Sequence, residues 1–441
     1  MPFAMKSKLL TPLWAALCLS SCSSTQPVLR VEPSAAAVEQ RTIRTEVRQG
    51  YSILIETISQ PVDHGNPFGS SFEQQVIILR PDDASADAPV LFMLGNETDS
   101  TPARLEAQYR NYGSPKDVVF ITADHRGYGQ SIPDQDQSRP TYVTVRQTLA
   151  DYDRLVRHYK IRFGGEWIGC GCSYGGGLVI NFAHDYPDAF AGIIASSALT
   201  RFEFLMPEYA AQASINLGPE LTRRMRFHME ALQPGQLYDE KWVDRERLLA
   251  LISGLSQIEE LQPLKPVVVQ LAMLPTPEFL ARLKRDLPAD LLRRIDDWAV
   301  RRAPTGRLPP DEVRKGNYNW YTWKYQQCTE TGTFFTGGLF THQRVDHIAD
   351  CRATFGEEPP YANAKPWPVS EMLGNLTMPA VIVSGGRDPW IHVGVKPGHQ
   401  YSNVDYVYFA DALHCPDIYD AAAGRTVFEK ARKMIQAGLR R

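Results

Sequence analysis

Short apolar runs recur through the first half of the chain and again near its end: Gln75 to Leu79, Pro89 to Leu94, Val118 to Thr122, Trp167 to Cys170, Ala191 to Ala195, Pro379 to Ser384 and Tyr406 to Phe409. Runs of this length without alternation predict strands buried on both faces of a parallel sheet. Leu178 to Tyr186 reads as a helix between two of them. Strand-helix-strand alternation of this kind predicts an α/β fold with helices on both sheet faces. From about Phe202 to Pro360 the texture changes: Glu220 to Leu232, Lys241 to Leu255 and Glu278 to Val300 place apolar residues three and four apart, with charges on the other side. No internal repeat is visible. The pattern predicts a mostly parallel α/β core over residues 46–201 and 366–441, interrupted by an all-helical cap over 202–365.

The N-terminus has a different pattern. Lys6 and Lys8 precede an apolar run from Leu9 to Ser21, which is shorter than the roughly 20 residues a spanning helix needs. The run closes on Leu19-Ser20-Ser21-Cys22, which resembles a bacterial lipobox. Residues 1–22 therefore read as a lipoprotein signal with Cys22 as the lipidation site. Residues 23–45 follow as a flexible tether, rich in Ser, Ala, Pro and Thr toward its start. The expected location is the bacterial cell envelope, periplasmic or outer-membrane associated.

Composition narrows the function. The 441 residues are 43% hydrophobic, enough for a large core, and a net charge of -3 gives no basic footprint for nucleic acid. No phosphate loop, metal cluster or cofactor fingerprint is present, so no cofactor or metal is expected. His342 and His347 come nearest to a metal pair and read as ordinary loop or core histidines.

The chemistry falls at the ends of the expected strands. Gly171-Cys172-Ser173-Tyr174-Gly175 follows one strand and precedes a helix, the context of a nucleophile elbow. The two glycines fit a turn too sharp for side chains. Asp388 and His414 each follow a later strand, in the order Ser, Asp, His used by α/β-hydrolases. Ser173 is thus the candidate nucleophile, His414 the base and Asp388 its orienting carboxylate. His392 and His399 are the nearest decoys. The oxyanion donors are expected from the backbone of Tyr174 and of the Gly95-Asn96 loop. Glu97 is unexpected beside an oxyanion, and reads either as a solvated loop charge or as a counter-charge for a substrate ammonium.

Eight stretches resemble the S28 family of serine exopeptidases. They are Gln60-Pro61-Val62-Asp63-His64, Gly95-Asn96-Glu97, Asp124 to Ser131, Gln147 to Asp151, Ser173-Tyr174-Gly175-Gly176, Ala195-Ser196-Ser197-Ala198, Tyr325 to Glu330 and Asp388-Pro389-Trp390. The resemblance implies an α/β-hydrolase with a helical cap, the triad above, and cleavage of short peptides next to proline. Substrate contacts are expected from Glu97, Glu330 and Trp390. An aminopeptidase would use Glu97 or Glu330 to hold an ammonium, whereas a carboxypeptidase would need a cation such as Arg126 or Arg387, and the sequence leaves both modes open. The expected partners are short proline-containing peptides, with membrane contact only through the lipid anchor; a homodimer is compatible with the sequence.

Departures from the family are also informative. Cysteines stand at Cys172 and Cys415, beside the nucleophile and the base, which suggests that they pair. A similar Cys-Ser, Asp, His-Cys arrangement occurs in tannases and feruloyl esterases, so a carboxylic ester hydrolase is the alternative. Cys328 and Cys351 form the second expected pair, and Cys170 is left as a buried, inert thiol.

Overall fold

Strands β1 (Gln40–Arg48), β2 (Tyr51–Pro61), β3 (Ser71–Pro81), β4 (Val90–Leu94), β5 (Val119–Ala123), β6 (Trp167–Cys172), β7 (Gly192–Ser196), β8 (Ala380–Gly385) and β9 (Val404–Phe409) form one sheet. Their order is β1-β2-β3-β5-β4-β6-β7-β8-β9. The structure is a computed structural model that describes residues 39–133, 140–200, 206–232, 240–289, 291–292, 318–331, 351–352, 355–357, 369–395 and 401–438. The N-terminal signal, Cys22, His342, His347 and His399 lie outside these residues.

From β5 to β9 every pairing is parallel, as the unbroken apolar runs predict. The first three strands differ. β3 pairs antiparallel with both β2 and β5, so Gln75 to Leu79 belongs to an antiparallel strand and not to a parallel one. Residues 40–45, expected in the tether, belong to β1, which pairs with β2 across a two-residue turn with Gly50 at φ 88°. β1 is an edge strand, almost wholly exposed and rich in Arg and Glu, so it carries no apolar run to announce it.

Alternation within the strands divides the core between two faces. Val90 and Phe92 face one way with helices α2 (Val145–Lys160) and α3 (Tyr174–Asp185), while Leu91 faces the other with α1 (Pro102–Asn111) and the Ala421–Gly438 helix. Helix α3 begins at Tyr174, earlier than the apolar pattern suggests, because its first turn is the glycine run behind Ser173.

Between β7 and β8 lie helices α4 (Met206–Leu217), α5 (Pro219–Ala231), α6 (Glu240–Gln257), α7 (Lys265–Leu271) and α8 (Thr276–Asp286). They enclose an apolar cluster of their own that includes Leu221, Met225, Leu248, Ile252 and Phe279. The amphipathic run expected from Glu278 to Val300 is broken after Asp286, because Leu287 precedes a proline and is extended, with ψ 150°, and helix resumes at Ala289. Residues 293–300 fall outside the described set. Trp390 packs against both this cluster and the sheet core, joining the helical layer to the catalytic edge. Among the described residues no helix is long and apolar enough to cross a membrane.

Candidate active site

Ser173 stands between β6 and α3 with φ 58° and ψ -123°, a conformation that L-residues adopt only when the surroundings impose it. The imposition is visible at Gly171, where a Cβ would lie 2.0 Å from the Gly175 carbonyl oxygen. Gly175 is less constrained, since its Cβ would sit 3.3 Å from the Leu94 oxygen. The expectation that both glycines bar a side chain therefore holds firmly only for Gly171. The turn leaves Tyr174 at the first position of α3, where its N–H has no acceptor within the helix and faces developing negative charge.

The Gly95-Asn96-Glu97 loop runs directly against this elbow: Asn96 Cβ is 3.4 Å from where a Gly175 Cβ would be. Tyr152 donates to the Gly95 oxygen at 3.4 Å, and Asn96 Oδ1 accepts from Thr98 N at 3.0 Å, so the loop is held from both sides. Glu97 Oε2 is buried without a hydrogen-bond partner. Burial pushes the Glu97 carboxyl upward, partly opposed by a backbone hydrogen bond and by the charge of His414.

His414 Nδ1 lies 2.8 Å from Asp388 Oδ2, with side chains 12% and 2% exposed. The carboxylate fixes the tautomer with the proton on Nδ1, which leaves Nε2 as the basic nitrogen. Asp388 is oriented in turn, since its Oδ1 accepts from the Trp390 N–H at 2.9 Å. Burial pulls the His414 pKa down, but the Asp388 charge, its hydrogen bond and Glu97 outweigh this, so the net direction is upward.

A disulfide joins Cys172 to Cys415, with Cα atoms 6.0 Å apart, and thereby ties the loop before the nucleophile to the loop after the base. A His414 ring nitrogen lies within 4.8 Å of both sulfurs. These three residues have the spacing of a metal site, but the disulfide removes the thiolates such a site would need. Between Ser173 Oγ and His414 no hydrogen bond is formed among the described residues, a separation common in hydrolases before substrate binds. Cys328 pairs with Cys351, and Cys170 is free and buried, its thiol pushed up by burial beside Asp417.

The remaining expected contacts are sorted by the structure. Arg126 is fully buried, donates to both Asp151 oxygens at 2.6 and 2.7 Å, and gives its other N–H groups to the carbonyls of Pro61, Val62 and Tyr142. It has no donor to offer a substrate carboxylate. His64 joins the same Asp151 at 2.7 Å, so three family-like stretches meet in one internal ion cluster. Glu330 Oε2 accepts from Val145 N at the start of α2, at 2.6 Å. Burial raises its pKa to about 7. Gln326, in the same stretch, donates to the Tyr174 hydroxyl at 3.0 Å. Trp390 is tied to the cap through its indole N–H, which donates to Gln257 Oε1, and through a ring contact with Tyr209 at 4.6 Å.

Several positioning residues carry no sequence signal. Asn216 donates to the Arg387 oxygen at 2.7 Å, and the Gln257 oxygen accepts from the His414 N–H at 3.1 Å, so two cap helices hold the loops of the acid and the base. Asp417, two residues beyond the disulfide, accepts from Ser196 and, at 2.7 Å, from Tyr112. Single polar side chains and one main-chain carbonyl, scattered over the chain, make these contacts, so no spacing reveals them.

A strained serine at the strand-to-helix turn after β6, with a buried Asp–His pair just past the parallel strands β8 and β9, defines a serine hydrolase of the α/β-hydrolase fold. The family model described as Serine carboxypeptidase S28 matches residues 60–217. Over those residues the chain is similar to this family of serine peptidases. It is 31% identical to human (Homo sapiens) lysosomal Pro-X carboxypeptidase over 44% of this chain and 40% of that protein. The Pongo abelii lysosomal Pro-X carboxypeptidase is 25% identical, over 84% of each chain. A prolyl tri/tetrapeptidyl aminopeptidase of Streptomyces mobaraensis is 32% identical over 33% of this chain and 29% of that protein.

Proposed function

We propose that the chain is an exported serine exopeptidase that cleaves short peptides next to proline through an acyl-enzyme on Ser173. The observation that carries this reading is the Ser173 elbow tied by the Cys172–Cys415 bond to a base loop whose His414 is oriented by Asp388 at 2.8 Å. The preference for proline rests on the relatives, which include both carboxypeptidases and an aminopeptidase.

The residues divide the reaction as follows. His414 Nε2 takes the Ser173 proton as Oγ attacks the scissile carbonyl carbon. The negative charge gathering on the carbonyl oxygen is met by the N–H groups of Tyr174 and of the Gly95-Asn96 loop. The imidazolium, stabilised by Asp388, then gives its proton to the departing amine, and the acyl group stays on Ser173. Water, deprotonated by His414, releases it. The α4–α8 layer stands over the catalytic edge and favours short substrates over long chains.

Export is supported by the N-terminal pattern and by two disulfides, which persist in oxidising compartments. Cys22 is the proposed lipid attachment, placing the enzyme at the bacterial cell envelope. A second reading, a carboxylic ester hydrolase, is favoured by the same Cys172–Cys415 pairing. Hydrolysis of a panel of short proline peptide amides and phenolic esters, with Ser173→Ala as control, separates the two. Ester turnover lost in Ser173→Ala, with no peptide turnover at all, would overturn the peptidase reading.

A further inference from the structure

Cys172, His414 and Cys415 each place one sulfur or ring nitrogen within 4.8 Å of the other two. Two thiolates and an imidazole form a ligand set that suits zinc(II) rather than the oxygen-seeking magnesium and calcium ions, and a fourth position stays open to water. With the disulfide closed, the sulfurs have no charge to give. Each residue is nevertheless held in place without that bond. Cys172 ends β6 opposite Ser196 of β7, and the Cys415 N–H donates to Ser197 Oγ at 2.9 Å. The His414 N–H is fixed on the Gln257 oxygen at 3.1 Å. Opening the bond therefore leaves both sulfurs beside His414. Asp388 completes the fit: by holding Nδ1 at 2.8 Å it leaves Nε2 as the free donor and supplies the carboxylate partner that metal-bound histidines use. Access to the sulfurs is uneven. Cys172 is half-buried, whereas Cys415, Cys328 and Cys351 are buried, so a small reductant meets the Cys172 sulfur first.

We propose that reduction of the Cys172–Cys415 bond by a small dithiol turns the active site into a zinc site, with the two cysteine thiolates and His414 Nε2 as ligands, and that the bound ion silences the enzyme by occupying its base. A thiolate of the dithiol attacks Cys172 Sγ and Cys415 leaves as a thiolate. The second thiol of the reagent then displaces Cys172, so the reagent departs as a disulfide and the protein gains two electrons and two protons. Zinc binding sends those two protons to solvent. With Nε2 on the metal, no base is left for the Ser173 proton. The inference holds for a peptidase and for an esterase alike, because both readings give His414 the same task.

The test reduces the purified enzyme with dithiothreitol under nitrogen, removes the reagent by gel filtration, and titrates zinc(II) against a chromogenic chelator, with cobalt(II) as a spectroscopic probe. Near-ultraviolet circular dichroism checks that the reduced chain stays folded. The expected result is one zinc per chain and a thiolate-to-cobalt charge-transfer band in the reduced protein, and neither in the oxidised one. Asp388→Asn should weaken the affinity by about 10- to 100-fold, and His414→Ala by more, losses that a site made by Cys328 and Cys351 would not show. Labelling of Ser173 by a fluorophosphonate should fall by about 100-fold on adding one equivalent of zinc, the least that a general base contributes, and recover with a chelator. An unfolded reduced chain, a reduced chain that binds no zinc, an affinity unchanged in His414→Ala, no labelling of the reduced zinc-free enzyme, or labelling indifferent to zinc would each overturn the proposal.

Discussion

Gln257 accepts the backbone N–H of His414 at 3.1 Å, so the last turn of a cap helix holds the loop that carries the base. The same residue receives the indole N–H of Trp390 on its side chain, and Trp390 N in turn binds Asp388. These cap helices are therefore part of the scaffold of the His414–Asp388 pair.

Replacing Gln257 by Ala keeps the carbonyl contact but frees the Trp390 indole. The expected outcome is a drop in kcat/KM of roughly 5- to 10-fold, matching the ~1 kcal/mol net worth of one hydrogen bond, with thermal stability almost unchanged. Steady-state kinetics on a proline peptide amide, normalised to titrated Ser173, checks it.

The pH profile follows from His414. Its pKa in the folded protein is raised, first against the opposing effect of burial and then by the Asp388 charge. Because only the neutral imidazole can take the serine proton, the acid limb of kcat/KM should lie above the ordinary histidine value of about 6.5. Asp388→Asn should move that limb down and lower kcat by about 10⁴-fold. The linked stability has the opposite sense: it is fully present below the unfolded pKa and is lost as pH rises through the raised folded value.

The disulfide contributes through both stability and register. Removing it in Cys172→Ser/Cys415→Ser opens a link spanning 243 residues and should cost about 2–5 kcal/mol, read from urea denaturation. In the mature native protein Cys170 should be unreactive toward thiol reagents and become titratable only on unfolding, because it is 1% exposed. Rapid native labelling of Cys170 would contradict this.

The elbow glycines should separate cleanly. Gly171→Ala drives a methyl to 2.0 Å from the Gly175 carbonyl oxygen and should destabilise the fold by about 3 kcal/mol or more. Gly175→Ala meets the Leu94 oxygen at 3.3 Å and should cost about 1 kcal/mol. Thermal denaturation of the two variants tests the ranking.

Breaking the internal ion cluster is the last test. Arg126→Ala leaves buried Asp151 with His64 alone as its side-chain partner, so it should destabilise by about 3–5 kcal/mol, while the choice between free-amine and free-carboxylate peptides stays the same. A changed choice would mean that Arg126 does reach the substrate.

Apolar runs made the parallel half of the sheet legible, because β4 to β8 are covered on both faces and need unbroken hydrophobic sequence. The strand-turn-helix around Ser173 and the loops of Asp388 and His414 were legible for the same reason: each sits just past such a run. β1 was not, since an exposed edge strand of Arg, Thr and Glu has no buried face to mark it. Nor was the antiparallel direction of β3, which depends on its partners and not on its composition. Arg126 looked available for substrate from its motif alone; its burial against Asp151 depends on a helix 25 residues away. Asn216, Gln257 and Asp417 act through hydrogen bonds that bring together distant parts of the chain, and polar residues of these kinds are too common for spacing to single them out.

The Cys172–Cys415 bond has a further consequence when the chain meets a protease. The described cap helices α4 to α8 and the Cys328–Cys351 pair all lie within the loop that it closes. A single cut anywhere in that loop yields two fragments that remain covalently joined at the active site, so nicking leaves Ser173 and His414 on one molecule. The enzyme can thus lose chain continuity in its cap without shedding half of its triad.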